Sequence, residues 1–281
     1  MKNLKKLLAI ATILVLALAA LTACGGGSGD SADSGEADAD KTIKVAASPT
    51  PHAEILNSVS DALAKEGWTL EVLEFDDYVQ PNVATTDGDV DANYFQHVPY
   101  LDEYNAQNGT NLVSVAGIHY EPMGVYAGTK KSFDELAEGD QVGIPNDATN
   151  GARALLLLQD NGVIKLKDGA GVTATEQDIA ENPKNIKIVP LEAATIPASL
   201  PDLALGVINA NYAIGADLKI DEALATEAAD SLAADTYVNV IVVNEENKDS
   251  EKTKALVAAL QTDEVKKFID ETFAGAVQAK F

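Results

Sequence analysis

Arg153 is the one arginine in a chain whose other nineteen basic residues are lysine. Its planar fork grips a carboxylate or phosphate with two parallel N–H donors, which a lysine ammonium cannot do. The local pattern reads Val142-Gly143-Ile144 as the end of a strand, Pro145, Asn146 and Asp147 as a turn, and Thr149 or Asn150 as the N-cap of a helix. Arg153 then falls in the first helical turn, where a cation opposes the dipole and the unpaired N–H groups unless an anion sits against both. That anion is either a ligand group or one of the chain's 44 acidic residues. The motif alone weighs the two equally.

Other side chains suited to recognition gather where strands run out into loops: Tyr78, Phe95, His97, Tyr120, Asn150, Asn209, Asn211 and Asn239. Open α/β sheets bind ligands at such strand ends. An asparagine there is more often a turn residue. Asn239 differs, because it lies inside the apolar run 237–243 (YVNVIVV) and a buried amide there needs a partner. Tyr94 and Phe95 alternate on one strand, so one of them belongs to the core.

Catalytic patterns are missing: there is no G-x-S-x-G, H-E-x-x-H or P-loop. Asp168-Gly-Ala-Gly171-Val-Thr-Ala174 mimics a dinucleotide fingerprint, but no regular helix opens at Gly171, so a surface turn is expected. Asp87, Asp89, Asp91 and Asn93 imitate a calcium loop, yet Ala92 and Val98 stand where glycine and glutamate are needed. His52, His97 and His119 are the only histidines and are far apart in sequence, so no metal site and no cofactor are expected.

The elements that must position these residues alternate between strand and helix. Strands are predicted at 42–46, 70–75, 92–95, 112–118, 141–144, 186–189, 206–208 and 237–243. Helices are predicted at 51–66, at 99–107 up to Gly109, and after Asn150 up to Asn161-Gly162. A further helix is expected to start at Thr175-x-x-Asp178. The last of two closing helices carries Val265, Phe268, Ile269 and Phe273 in helical spacing. Residues 76–82 read as a polar turn, and the proline in 119–126 (HYEPMGVY) suggests a crossing. The pattern predicts an α/β fold of two lobes with a cleft between them.

Residues 1–23 read as an export signal, with Lys2, Lys5 and Lys6 ahead of a short apolar run. The ending Leu-Thr-Ala-Cys24 resembles a bacterial lipobox, which implies cleavage before Cys24 and lipidation of its sulfur. Cys24 is the only cysteine, so neither a disulfide nor a zinc-thiolate site is expected. Residues 25–40 have no large apolar side chain and would act as a flexible tether reaching roughly 20 Å. The net charge of −24 becomes more negative when the three leader lysines are removed. Nucleic acid and anionic membrane surface are poor partners for such a body.

Several segments together resemble the methionine-binding lipoproteins of ABC importers, the NlpA-type lipoprotein family: DDYVQPN (76–82), VDANYFQHVPYLDEYN (90–105), EPMGVY (121–126), VGIPNDATNGARALLLLQ (142–159), DIAENPKNIKIV (178–189), VINANYA (207–213) and TYVNVIVV (236–243), with TPHAEIL (50–56) a weaker echo. The resemblance implies a type II periplasmic-binding-protein fold, with lobe 1 at 41–122, lobe 2 at 123–236 and a return to lobe 1 at 237–281. It gives Arg153 the substrate carboxylate, sets Asn150, Asn209 and Asn239 around the carboxylate and ammonium, and makes Tyr78, Phe95, His97 and Tyr120 the walls of the side-chain pocket. Around Ser48 the glycine-rich start common in the family is replaced, and 196–206 (IPASLPDLALG) lacks an arginine and an acidic pair often found before VIN. Both departures border the cleft and bear on side-chain preference.

The expected role is a monomeric, non-enzymatic receptor that captures methionine and delivers it to an ABC permease and ATPase complex. It would sit outside the cytoplasm, lipid-anchored to the membrane, and Cys24 followed by three glycines looks Gram-positive. Alternatives are a receptor for another small amino acid or a methionine-containing dipeptide, and a surface scaffold or adhesion lipoprotein.

Overall fold

The computed structural model describes residues 41–281 except 229 and 230, so the expected leader, Cys24 and the tether lie outside the described residues. Lys41–Phe281 forms one compact unit built on two main β-sheets. The chain lays down β1 (Thr42–Ala47), β2 (Thr69–Glu74), β3 (Ala92–His97) and β4 (Leu112–Tyr120). It then crosses to β5 (Gly124–Ala127), β6 (Gln141–Pro145), a short ribbon of β7 (Lys165–Leu166) and β8 (Ile179–Glu181), then β9 (Lys187–Leu191), β10 (Leu205–Ile208) and β11 (Ala225–Thr226). It returns with β12 (Val238–Asn244) and β13 (Gln278–Ala279). The sheet orders are β13-β4-β12-β3-β1-β2 and β11-β5-β10-β6-β9, giving one lobe on each sheet.

Helices cover these sheets: α1 (Glu54–Ser58), α2 (Ser60–Lys65), α3 (Gln80–Asp87), α4 (Val98–Asn108), α5 (Ala148–Asp160), α6 (Ile196–Ser199), α7 (Ala210–Gly215), α8 (Leu232–Thr236), α9 (Glu251–Leu260) and α10 (Asp263–Phe273). Ile55, Leu56, Val59 and Leu63 are buried in one cluster with Val45 and Tyr94 of the first sheet and with Leu256, Leu260, Val265, Ile269 and Phe273. The first and last helices of the chain therefore share one core. In the second lobe Leu155 and Leu158 of α5 pack on Val125, Val142, Ile144 and Val207. All six residues of β3 are buried, as expected of a strand covered on both faces.

Four local expectations differ from the structure. The helix read over 51–66 is broken at Val59, which leaves helical geometry at φ −102°, ψ 1°. The 76–82 turn leads straight into α3, which has no apolar stripe to announce it. Its buried Asn82 and Thr85 instead join Asn93 and Gln96 in a hydrogen-bonded amide network. Thr175 and Asp178 form a capping box, but on a single turn, Glu176–Asp178, rather than a helix. Finally, Asp147 and not Thr149 or Asn150 caps α5, its carboxylate accepting from the Asn150 N–H at 2.8 Å. Arg153 thus lies in the second turn, where the dipole argument is weaker.

Candidate functional site

Strand ends of both lobes converge on one narrow cavity. Tyr78 follows β2, Phe95, Gln96 and His97 end β3, Tyr100 opens α4, and Asn239 lies on β12. From the second lobe come Asn150 and Arg153 on α5 and Asn209, Ala210 and Asn211 where β10 runs into α7. Glu121, in the crossing from β4 to β5, completes the lining. Seven of the eight predicted residues therefore meet at one cavity.

Tyr120 is the exception. It is fully buried and absent from the lining, and its hydroxyl donates to Glu227 Oε2 at 2.7 Å. It stands behind Arg153, because β4 turns its side chain away from the cavity and toward the 227 loop. Of the Tyr94 and Phe95 pair, Tyr94 belongs to the core and Phe95 to the cavity wall.

Of the two anions that the sequence offered Arg153, the internal acid is the one the structure shows. Its Nε donates to Glu227 Oε1 at 2.7 Å and its Nη2 to Glu227 Oε2 at 2.6 Å, a buried bidentate pair, while Nη2 also donates to the Glu121 carbonyl at 2.8 Å. The guanidinium carbon lies 4.3 Å over the Tyr237 ring. Nη1 takes no part in these bonds. Arg153 and Tyr120, with the Met123 N–H, hold the Glu227 carboxyl below its ordinary range against the opposing effect of burial.

Hydrogen bonds give each neighbouring amide a fixed sense. His97 Nδ1 accepts from the Tyr100 N–H at 3.2 Å, so Nε2 carries the proton and donates to Asn150 Oδ1 at 3.2 Å. Asn150 Oδ1 also accepts from Asn209 Nδ2 at 2.9 Å, and its own amide nitrogen donates to Asp147. Asn150 thereby holds His97 and Asn209 in place. Asn209 Oδ1 is buried with no partner, an acceptor with unused capacity. Asn239 Oδ1 is taken by His52 Nε2 at 3.0 Å, so the face it offers a ligand is the donor Nδ2. Burial, then the Arg153 charge, pushes His97 down to about 3 and keeps it neutral.

The aromatic wall joins the lobes. Tyr78 stacks obliquely on Tyr212 with ring centroids 4.9 Å apart, and its hydroxyl donates to Asn211 Oδ1 at 2.5 Å. Tyr212 donates to the Asp76 carbonyl at 3.1 Å across the same seam. Phe95 and Tyr100 each lie 5.9 Å from Tyr78. One end of the cavity is thus charged and amide-rich, and the other is aromatic.

The histidines that are far apart in sequence are partly gathered in space. His52 and His119 come together with Glu121, their ligand-type atoms within 4.8 Å of one another, the one such group among the described residues. In this structure these atoms hydrogen-bond to one another and to Asn239. Sequence reading missed Glu121, Glu227, Gln96 and Tyr100 as site residues. Glu121 had a usable signal, a carboxylate beside a proline at the predicted crossing, whereas Glu227 lies in a loop without apolar or turn pattern.

Two sheet-based lobes closing on a small polar-aromatic cavity define a substrate-binding protein of the two-lobed α/β type. The NlpA lipoprotein family model matches residues 43–281, and the chain belongs to that family. It is 48% identical over 222 residues to the D-methionine-binding lipoprotein MetQ of Salmonella typhimurium, covering 77% of this chain and 80% of that one. A solved protein from Ruminococcus gnavus superposes with a TM-score of 0.84 at 57% identity, covering 86% of this chain and all of that one. A nutrient-binding protein from Burkholderia cenocepacia, solved bound to methionine, gives 0.80 at 46% identity, with 85% and 100% coverage. The Salmonella relative is Gram-negative and lends no support to the Gram-positive envelope expected from Cys24.

Proposed function

We propose that this chain is the receptor of an ABC importer, capturing methionine outside the cytoplasm and delivering it to a permease and ATPase complex. The observation that carries the reading is the cavity's two-ended chemistry in a chain 46% identical to a methionine-bound protein. Arg153 Nη1 and the Asn239 amide suit an α-carboxylate, and Tyr78, Phe95 and Tyr100 suit a thioether, worth about 0.3–1.5 kcal/mol per sulfur–aromatic contact. Asn150 acts by fixing His97 and Asn209 rather than by reaching the ligand with spare donors.

Binding is by hinge closure, with the segments near 121–123 and 236–238 as the two crossings between a lobe at 41–122 plus 237–281 and a lobe at 123–236. Tyr78–Asn211 and Tyr212–Asp76 latch the closed form. The receptor works as a monomer held to the membrane through lipid on Cys24, and it performs no chemistry on its ligand. Mass spectrometry of small molecules released from the denatured pure protein, followed by calorimetric titration of the stripped protein, tests this. Methionine recovered near one per chain, or one-site binding on titration, is the expected result; no heat with methionine would overturn it.

A further inference from the structure

A carboxylate outside the cavity lining gathers the segments that link the two lobes. Glu227 lies just past β11 in the second lobe. Its carboxylate accepts from Arg153 of α5, from the Tyr120 hydroxyl at the end of β4 at 2.7 Å, and from the Met123 N–H in the first crossing at 2.9 Å. The backbone reinforces the last contact, because the Glu227 N–H donates to the Met123 carbonyl at 3.1 Å. Arg153 holds the same crossing through the Glu121 carbonyl and lies over the ring of Tyr237, where the chain crosses back. The Arg153–Glu227 pair is therefore seated between the two crossings.

Two roles are open to a carboxylate so placed. It could compete with an arriving ligand for the arginine fork, or it could fix the fork for the ligand to meet. The bonds favour the second. Oε2 accepts from the Tyr120 hydroxyl and the Met123 N–H as well as from Arg153 Nη2, so giving up Arg153 would leave Glu227 tied in place with its charge uncompensated. Both side chains are nearly enclosed, at 4% and 7% exposure, and water is a poor substitute for either partner. A bidentate pair also fixes the plane of the guanidinium. Arginine is rich in rotamers, and ordering it ahead of binding removes an entropic cost that the ligand would otherwise bear.

We infer that Glu227 is a positioning residue for the receptor's carboxylate recognition, holding Arg153 in its binding orientation at the hinge, with Tyr120 fixing Glu227 in turn. The inference rests on the reading in which Arg153 Nη1 meets the ligand carboxylate, and it adds a determinant that never touches the ligand. It also gives Tyr120, which stands outside the lining, a part in binding.

Calorimetry with methionine and with methioninol, which carries a hydroxymethyl group in place of the carboxylate, tests it, with displacement titration for the weaker ligand. Wild-type protein is expected to bind methionine roughly 100-fold more tightly than methioninol. Glu227→Gln keeps the side chain's shape but offers Arg153 one acceptor oxygen in place of two. It should lower that ratio roughly tenfold, by weakening methionine while methioninol stays nearly unchanged. General damage to the cavity would weaken both ligands and leave the ratio as it was. Tyr120→Phe removes one bond from Oε2 and should lower the ratio roughly threefold.

An unchanged ratio in Glu227→Gln overturns the inference while the receptor reading stands. A raised ratio also overturns it, since Glu227 would then be a competitor for the fork. Should Glu227→Gln fail to fold, Tyr120→Phe decides: a lowered ratio supports the inference and an unchanged one overturns it. Wild-type protein that binds methionine no better than methioninol takes the carboxylate away from Arg153 and overturns it too. Wild-type protein that binds neither ligand would remove the receptor reading and the inference with it.

Discussion

Arg153 holds Glu227 through Nε and Nη2, and in the proposed site Nη1 meets the ligand carboxylate, so its substitution has two separable consequences. Arg153→Ala leaves the Glu227 carboxylate buried and unpaired and should cost about 3–5 kcal/mol of stability. Arg153→Lys keeps a cation near Glu227 but loses the fork and Nη1. It should weaken methionine at least tenfold while lowering the melting temperature far less than the alanine variant. Equal calorimetric affinity in Arg153→Lys and wild type would remove Nη1 from the site. The sequence made Arg153 conspicuous by its rarity, but the question of ligand or internal acid could not be resolved there, because Glu227 reaches it from 74 residues away through a loop that no periodicity predicts.

At the scale of elements, the longer segments with an apolar rhythm were legible. Val265, Ile269 and Phe273 lie buried along α10 as their spacing implies, and Gly109 ends α4 in the left-handed conformation, φ +66°. Among the elements that were not legible are α3, whose buried face is polar, and the start of α5, whose capping carboxylate, Asp147, lies two or three residues before the apparent candidates. Close packing adds constraints that no pattern shows. A Cβ at Gly128 would lie 2.2 Å from the Leu203 carbonyl oxygen and 2.6 Å from that of Leu200, backbone atoms that cannot swing aside. Gly128→Ala should therefore destabilise the second lobe by about 1–3 kcal/mol or more, read as a lowered denaturation midpoint. An unchanged midpoint would mean that the 200–204 turn yields without cost.

At the scale of the whole molecule, the chain leaves its first sheet once and comes back, and the cavity is lined by residues from both lobes. The apolar run 237–243 was readable as a strand, and its antiparallel insertion between β3 and β4 brings Asn239 opposite His97 and His119. That pairing turns a lone buried asparagine into part of a site, and it depends on tertiary register rather than on local sequence. The account's central claim is the orientation of a zwitterion in that cavity. The most direct test is a crystal structure of the protein with methionine bound. The account predicts the carboxylate within hydrogen-bond distance of Arg153 Nη1 and Asn239 Nδ2, the ammonium at Asn209 Oδ1, and the thioether among Tyr78, Phe95 and Tyr100. Methionine bound with its thioether toward Arg153, or outside this cavity, would contradict it.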